Sequence, residues 1–187
     1  MTPRHQALHR LLGTYQPSTP PEARHLASVL ELLSTKPSAF DRGEYQPGHI
    51  TASAFVVHPS EPAAALMKHR KIGRWLQPGG HVEPHDVDIE SAARREVLEE
   101  IGITELSSFG VTDVDVHVFP ERADQPQHLH LDVRIGFIAG SDRLIDGGES
   151  DGVRWTTFEE MQLMGESLAR PARRLEAMDA AGTLRHH

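Results

Sequence analysis

Apolar residues recur along this chain with two different periods, and the changes of period mark out its elements. In the first part, Leu26, Val29, Leu30 and Leu33 fall on one helical stripe. The stripe follows a helix-start signal in which Thr19 precedes Pro20, Pro21 and Glu22. The hydroxyl caps, the prolines sit where no amide donor is needed, and the glutamate is placed to cap in return. Residues 1–46 therefore predict a helical extension, too small to bury a core of its own and expected to pack on the domain formed by residues 47–187. The Pro- and Gly-punctuated segment PSAFDRGEYQPGH predicts the connection between them.

Beyond it, ITASAFVV and AAALMKHR read as strands joined by a short turn from His58 to Pro62. A Gly-rich turn, QPGGHVEPHD, leads into a helix from about Asp88 to Ile101, which Gly102 is suited to stop. VTDVDVHVF and HLHLDVRIGFIAG alternate as strands, GVRW is a short strand, and helices are expected near Thr157–Met164 and Ser167–Ala180. Strands on both sides of a helix, with helices at the end, predict an α/β sandwich around a mixed sheet.

The helix at 88–101 carries the chemistry. Each helical residue advances by about 100°, so Glu96 and Glu100 share a face and Glu99 lies at its edge. Ile89, Ala92 and Ala93 project the same way, so these carboxylates continue an apolar stripe. A solvated charged face would put them opposite it. Carboxylates gathered near apolar surroundings repel unless a cation lies between them, and hard oxygen ligands suit Mg²⁺ or Mn²⁺. Gly79 and Gly80 allow close backbone approach, and a carbonyl of that turn could join the glutamates.

These residues resemble the Nudix box. In GGHVEPHDVDIESAARREVLEEIGI, Gly80 matches the leading glycine, and Arg95, Glu96, Val97, Glu99, Glu100, Gly102 and Ile103 match the second half. Asp86 stands where the pattern has glutamate, and one extra residue separates it from Arg95. The resemblance implies a Nudix-type α/β/α sandwich and metal-dependent hydrolysis of a diphosphate linkage, in a nucleoside diphosphate derivative or related small molecule. It implies that Glu99 and Glu100 are metal ligands with the Gly79 carbonyl, that Glu96 is a ligand or general base, and that Arg95 holds a glutamate in place. Glu149, in DGGESDG, is the alternative base. Nucleotide sugars, dinucleoside polyphosphates, oxidised nucleotides and non-nucleotide diphosphates all remain candidate substrates.

Charge and composition narrow the picture. A formal net charge of -8 argues against a nucleic-acid binder and requires a polyanionic substrate to meet a cation or a local basic patch. Lys68, Arg70, Lys71 and Arg74 supply one, with Lys68 and Arg70 expected on one side of a strand. Trp75 reads as an anchor of the core or loop. In HLHLDVR, strand alternation puts His128, His130, Asp132 and Arg134 on one face; that face lines the cleft, lies on the wet surface, or binds a transition metal. His81 is a further cleft candidate, with His85 beside it, and His186 and His187 form a tail. The absence of cysteine excludes thiolate metal sites and counts against an isoprenoid diphosphate isomerase of related fold. A ligand-sensing module without turnover is the alternative function. With no signal core or membrane-spanning run, the expected place is the cytoplasm, without a membrane partner; a homodimer is one candidate assembly.

Overall fold

A computed structural model of the protein describes residues 2–122, 124–148 and 150–184. Its centre is a seven-stranded mixed sheet. Strand β1 (Gly48–Val57) pairs in parallel with β6 (His128–Ala139), and β6 pairs antiparallel with the edge strand β5 (Leu106–Phe119). On its other side β1 pairs antiparallel with β2 (Ala63–His69) and with β4 (Gly79–His81). Strand β2 also carries β3 (Arg74–Leu76) and β7 (Ser150–Thr157), both antiparallel.

Side chains alternate across these strands, so the sheet buries both faces. Ile50, Ala52, Ala54 and Val56 join Leu131, Val133 and Ile135 in one core, with Ala92, Ala93 and Val97 of α3 (Ile89–Ile101). The same core takes Leu8 and Leu12 from α1 (Pro3–Gly13) and Val29, Leu32 and Leu33 from α2 (Pro20–Thr35). Phe55, Val57, Ala64 and Leu66 point the other way. They pack on α4 (Phe158–Gln162) and α5 (Glu166–Ala180) through Phe158, Met161, Leu168, Ala172 and Leu175. This is the α/β/α arrangement expected from the sequence. Among the described residues no helix is long and apolar enough to cross a membrane.

Three local expectations change. The Gly-rich turn is partly sheet: β3 and β4 flank Gln77–Pro78, too short for alternation to show in the sequence. The chain leaves β2 after His69 and turns through Gly73, whose positive φ of 70° suits glycine. Arg70 therefore lies on a turn and does not share a strand face with Lys68. At the start of α2, Thr19 caps the Glu22 amide as expected, but the Glu22 carboxylate accepts from Ser18 and from the Tyr15 hydroxyl, with Arg174 of α5 nearby. A buried partner outcompetes the reciprocal cap.

A charged network is buried under α5. Arg134, 1% exposed, donates to Asp132, Asp113, Asp115 and the Ser167 carbonyl. Arg170 reaches the same Asp113 and Asp115, tying α5 to β5. Removing one member of such a set strands the others as buried charges. Arg134→Met is expected to cost about 3–5 kcal/mol, read as a lower urea midpoint without loss of cooperativity.

Candidate active site on the carboxylate helix

The glutamates owe their positions to the two ends of α3. At its start Asp88 and Ser91 cap each other's backbone amides, a reciprocal box that fixes the first turn. At its end Gly102 adopts a left-handed conformation, φ 71°, that lets the chain leave without steric penalty. Between them Ala92, Ala93 and Val97 seat the helix on the sheet, and Glu100 is buried with them while the Glu99 side chain is 55% exposed.

Arg95 organises the group. It donates to both carboxylate oxygens of Asp86 at 3.2 and 3.0 Å, to Glu96 at 2.8 Å, to Glu99 at 3.0 Å and to the His81 carbonyl at 2.8 Å. Asp86, the departure from the box pattern, thus anchors Arg95, and the extra residue is absorbed in the loop before the helix. Burial pushes the Asp86 carboxyl up, but the hydrogen bonds from Arg95 and the Glu83 amide outweigh it and hold it below the usual range. The same contact with Asp86, then that with Glu96, raises Arg95. Glu96 is pushed up by burial, only partly offset by Arg95.

Strand β4 brings the glycines to these carboxylates. The Gly79 amide donates to Glu100 at 2.9 Å. A Cβ on Gly80 would lie 2.5 Å from a Glu96 oxygen, so with this glutamate rotamer the glycine is what lets the strand come this close. The next loop closes from the other side, where the Ile145 and Gly147 amides donate to the carbonyls of Ile101 and Glu100.

A cleft of about 270 Å³ opens beside Glu100, lined by Met67, His69, Arg70, Lys71 and Gly148. Arg70 and Lys71 give it a cationic rim; Arg70 is held by Asp151 and the Ser150 carbonyl. Lys68 is half-buried on β2 opposite Trp75, and Trp75 stacks with Arg154, whose guanidinium lies 4.4 Å from the ring centroid. Glu149, His186 and His187 lie outside the described residues.

His81, His130 and Asp132 are brought together on the face of the sheet away from α3. Asp132 accepts from Thr51, Ser53 and Arg134, so both its oxygens are engaged within the protein. His130 and His81 meet His49 of β1, which sequence reasoning missed; its only signal was a place in step with Thr51 and Ser53 on the alternating strand. Burial, then neighbouring imidazoles, lowers His130 to about 3 and His81 to about 4, and burial also lowers His49.

A sandwich built on this sheet, with an acidic helix gripped against a glycine-rich strand, places the protein among the Nudix-fold hydrolases. The NUDIX domain profile matches residues 47–176, and the chain belongs to that family. A Bacillus subtilis (strain 168) protein that carries the provisional name 8-oxo-dGTP diphosphatase is 35% identical over 108 residues, 57% of this chain and 66% of that protein, just under two thirds of its length. Among solved structures, a NUDIX-family hydrolase from Clostridium perfringens superposes with a TM-score of 0.53 at 22% identity, covering 70% of this chain and 97% of that one. A C. elegans Ap4A hydrolase binary complex gives 0.52 at 18%, covering 71% and 98%. At those identities the likeness is one of fold.

The buried imidazoles have a consequence for stability. His130 faces His49 from β1, His81 from β4, His117 from β5 and His128 from its own strand. An unfolded histidine titrates near about 6.5, whereas these two titrate near 3 and 4 when folded. Between those values the unfolded chain binds more protons, so stability is full above about pH 6.5 and falls as the pH drops toward 4. Urea midpoints in metal-free buffer should be lower at pH 5 than at pH 7, and His130→Asn should shrink that difference.

Proposed function

We propose that this protein is a metal-dependent pyrophosphohydrolase acting on a nucleoside diphosphate derivative. The observation that carries this reading is one helix on which Arg95 gathers Glu96 and Glu99 while Glu100 borders a cleft with a cationic rim. The name of the B. subtilis relative supports a nucleotide substrate. The donor set fits Mg²⁺ or Mn²⁺: carboxylates and backbone oxygen are hard ligands, and glycine leaves room at Glu96. Glu99 and Glu100, with the Gly79 carbonyl, would hold the ion. Bound there, it supplies Lewis acidity toward phosphate oxygens and lowers the pKa of a coordinated water.

The chain's own residues do the rest. Arg95 positions Glu96 and Glu99 and keeps their charges from driving them apart. Glu96 takes the proton of the attacking water; burial makes its carboxylate a stronger base than an exposed one. Arg70 and Lys71 attract phosphate oxygens toward the carboxylate helix. Lys68 stands on β2 between the cleft-lining Met67 and His69 and, by strand alternation, faces away from this cleft.

The test is release of phosphate or nucleotide from a panel of nucleoside diphosphate derivatives. Turnover is expected to require Mg²⁺ or Mn²⁺, and undiminished hydrolysis after exhaustive chelation would overturn the proposal. Glu96→Gln should lower kcat by about 10²–10⁴-fold, with circular dichroism and KM little changed. Near-normal kcat in that variant, with a large loss in Glu149→Gln, would move the base to Glu149. Glu100→Gln keeps an acceptor for the Gly79 amide, so the fold should persist while metal affinity and turnover fall. Arg70→Ala should raise KM at unchanged kcat, the signature of binding shared equally by ground and transition states; an unaltered KM would return Arg70 to the surface.

A further inference from the structure

Outside the carboxylate helix, the chain gathers a second set of ligating side chains that the hydrolytic reading does not use. Strands β1, β4 and β6 are neighbours, and their registers set His49, His81 and His130 on one face. One nitrogen from each lies within 4.8 Å of the others. The ring centroids are 5.1 Å apart for His49–His81, 4.9 Å for His49–His130 and 5.5 Å for His81–His130.

Hydrogen bonding singles out these rings. His49 is 1% exposed, and its Nδ1 lies 3.1 Å from the Glu44 carbonyl. A carbonyl can only accept, so Nδ1 carries the proton and Nε2 of the neutral ring offers a bare lone pair. That Nε2 is buried and has no partner among the described residues, and the same is true of Nε2 of His130. Buried polar atoms are rarely left unpaired without a purpose. A backbone carbonyl fixing the distal N–H is also the usual arrangement behind a metal-bound histidine.

We propose that His49, His81 and His130 form a binding site for a divalent transition metal of the Zn²⁺ type, separate from the carboxylate site on α3. Three imidazoles with one open position suit Zn²⁺ or Co²⁺ and do not favour Mg²⁺. Tetrahedral zinc–nitrogen bonds set ligand atoms roughly 3.3–3.4 Å apart, so the rings must draw together by side-chain rotation. His117, 46% exposed and 5.5 Å from His130, marks the side facing solvent. The ion would cross-link β1, β4 and β6. Because the His81 carbonyl also receives Arg95, it would brace the strand against which the carboxylate helix is held.

The full chain carrying His186→Ala and His187→Ala, which removes the adjacent terminal histidines, is titrated with Co²⁺ in excess Mg²⁺ and followed by visible absorption and melting temperature. One equivalent should bind, raise Tm and be displaced by Zn²⁺. Binding should be lost in His49→Gln and His130→Gln and kept in the Glu99→Gln/Glu100→Gln double variant. If a buried substitution prevents folding, judged by circular dichroism, the less buried His81→Gln decides in its place. No stoichiometric uptake by the parent, uptake unchanged in His81→Gln and in the folded His130 variant, or loss only in the glutamate variant would overturn the site.

Discussion

The guanidinium of Arg95 is the contact on which the candidate active site depends. Asp86, Glu96 and Glu99 come from a loop and two turns of a helix, and their charges would drive them apart in a half-buried setting. Arg95 answers all three with charge-assisted hydrogen bonds and spends a further donor on the His81 carbonyl. One planar cation thus fixes the relative positions of loop, strand and helix. Lysine, a point charge without the fork, could not satisfy that geometry.

The same solution recurs across the sheet. Arg134 and Arg170 gather Asp113, Asp115 and Asp132 beneath α5. Burial alone would raise Asp115, yet its hydrogen bond with His117 and the charges of both arginines hold it far below the usual range. The two clusters differ in what remains available. Under α5 the aspartates are enclosed, whereas on α3 Glu99 stays open to solvent and Glu100 borders a cleft. A rigid charged assembly and a reactive one are made from the same residue types, separated by access.

Much of this was legible in the chain. Glu96 and Glu100 could be assigned to the buried side of their helix because Ile89, Ala92 and Ala93 set the phase, with Glu99 at its edge, and the alternation in HLHLDVR assigned its polar residues to one face correctly. What the alternation could not supply was the neighbours. Whether that row met water, substrate or other side chains depended on β1 and β5 lying beside it, a matter of strand order that no local period encodes. His49 was hidden for a related reason: it stands at the edge of a Pro- and Gly-rich segment that reads as a connection. Strands β3 and β4 were masked by the glycines and proline that make them useful. Asp86 looked like a conservative departure of unknown role until its partner, nine residues along the chain, was seen to curl back onto it.

The grip of Arg4 on the Pro84 and Asp86 carbonyls ties the first helix to the candidate active site, which its distance along the chain would not suggest. Those carbonyls belong to the loop whose carboxylate anchors Arg95. Arg4, the loop of Asp86 and Arg95 thus form one continuous run of contacts from α1 to Glu96 and Glu99. Similarity to the family profile begins at residue 47, but the contacts that hold the loop of Asp86 begin with the first helix.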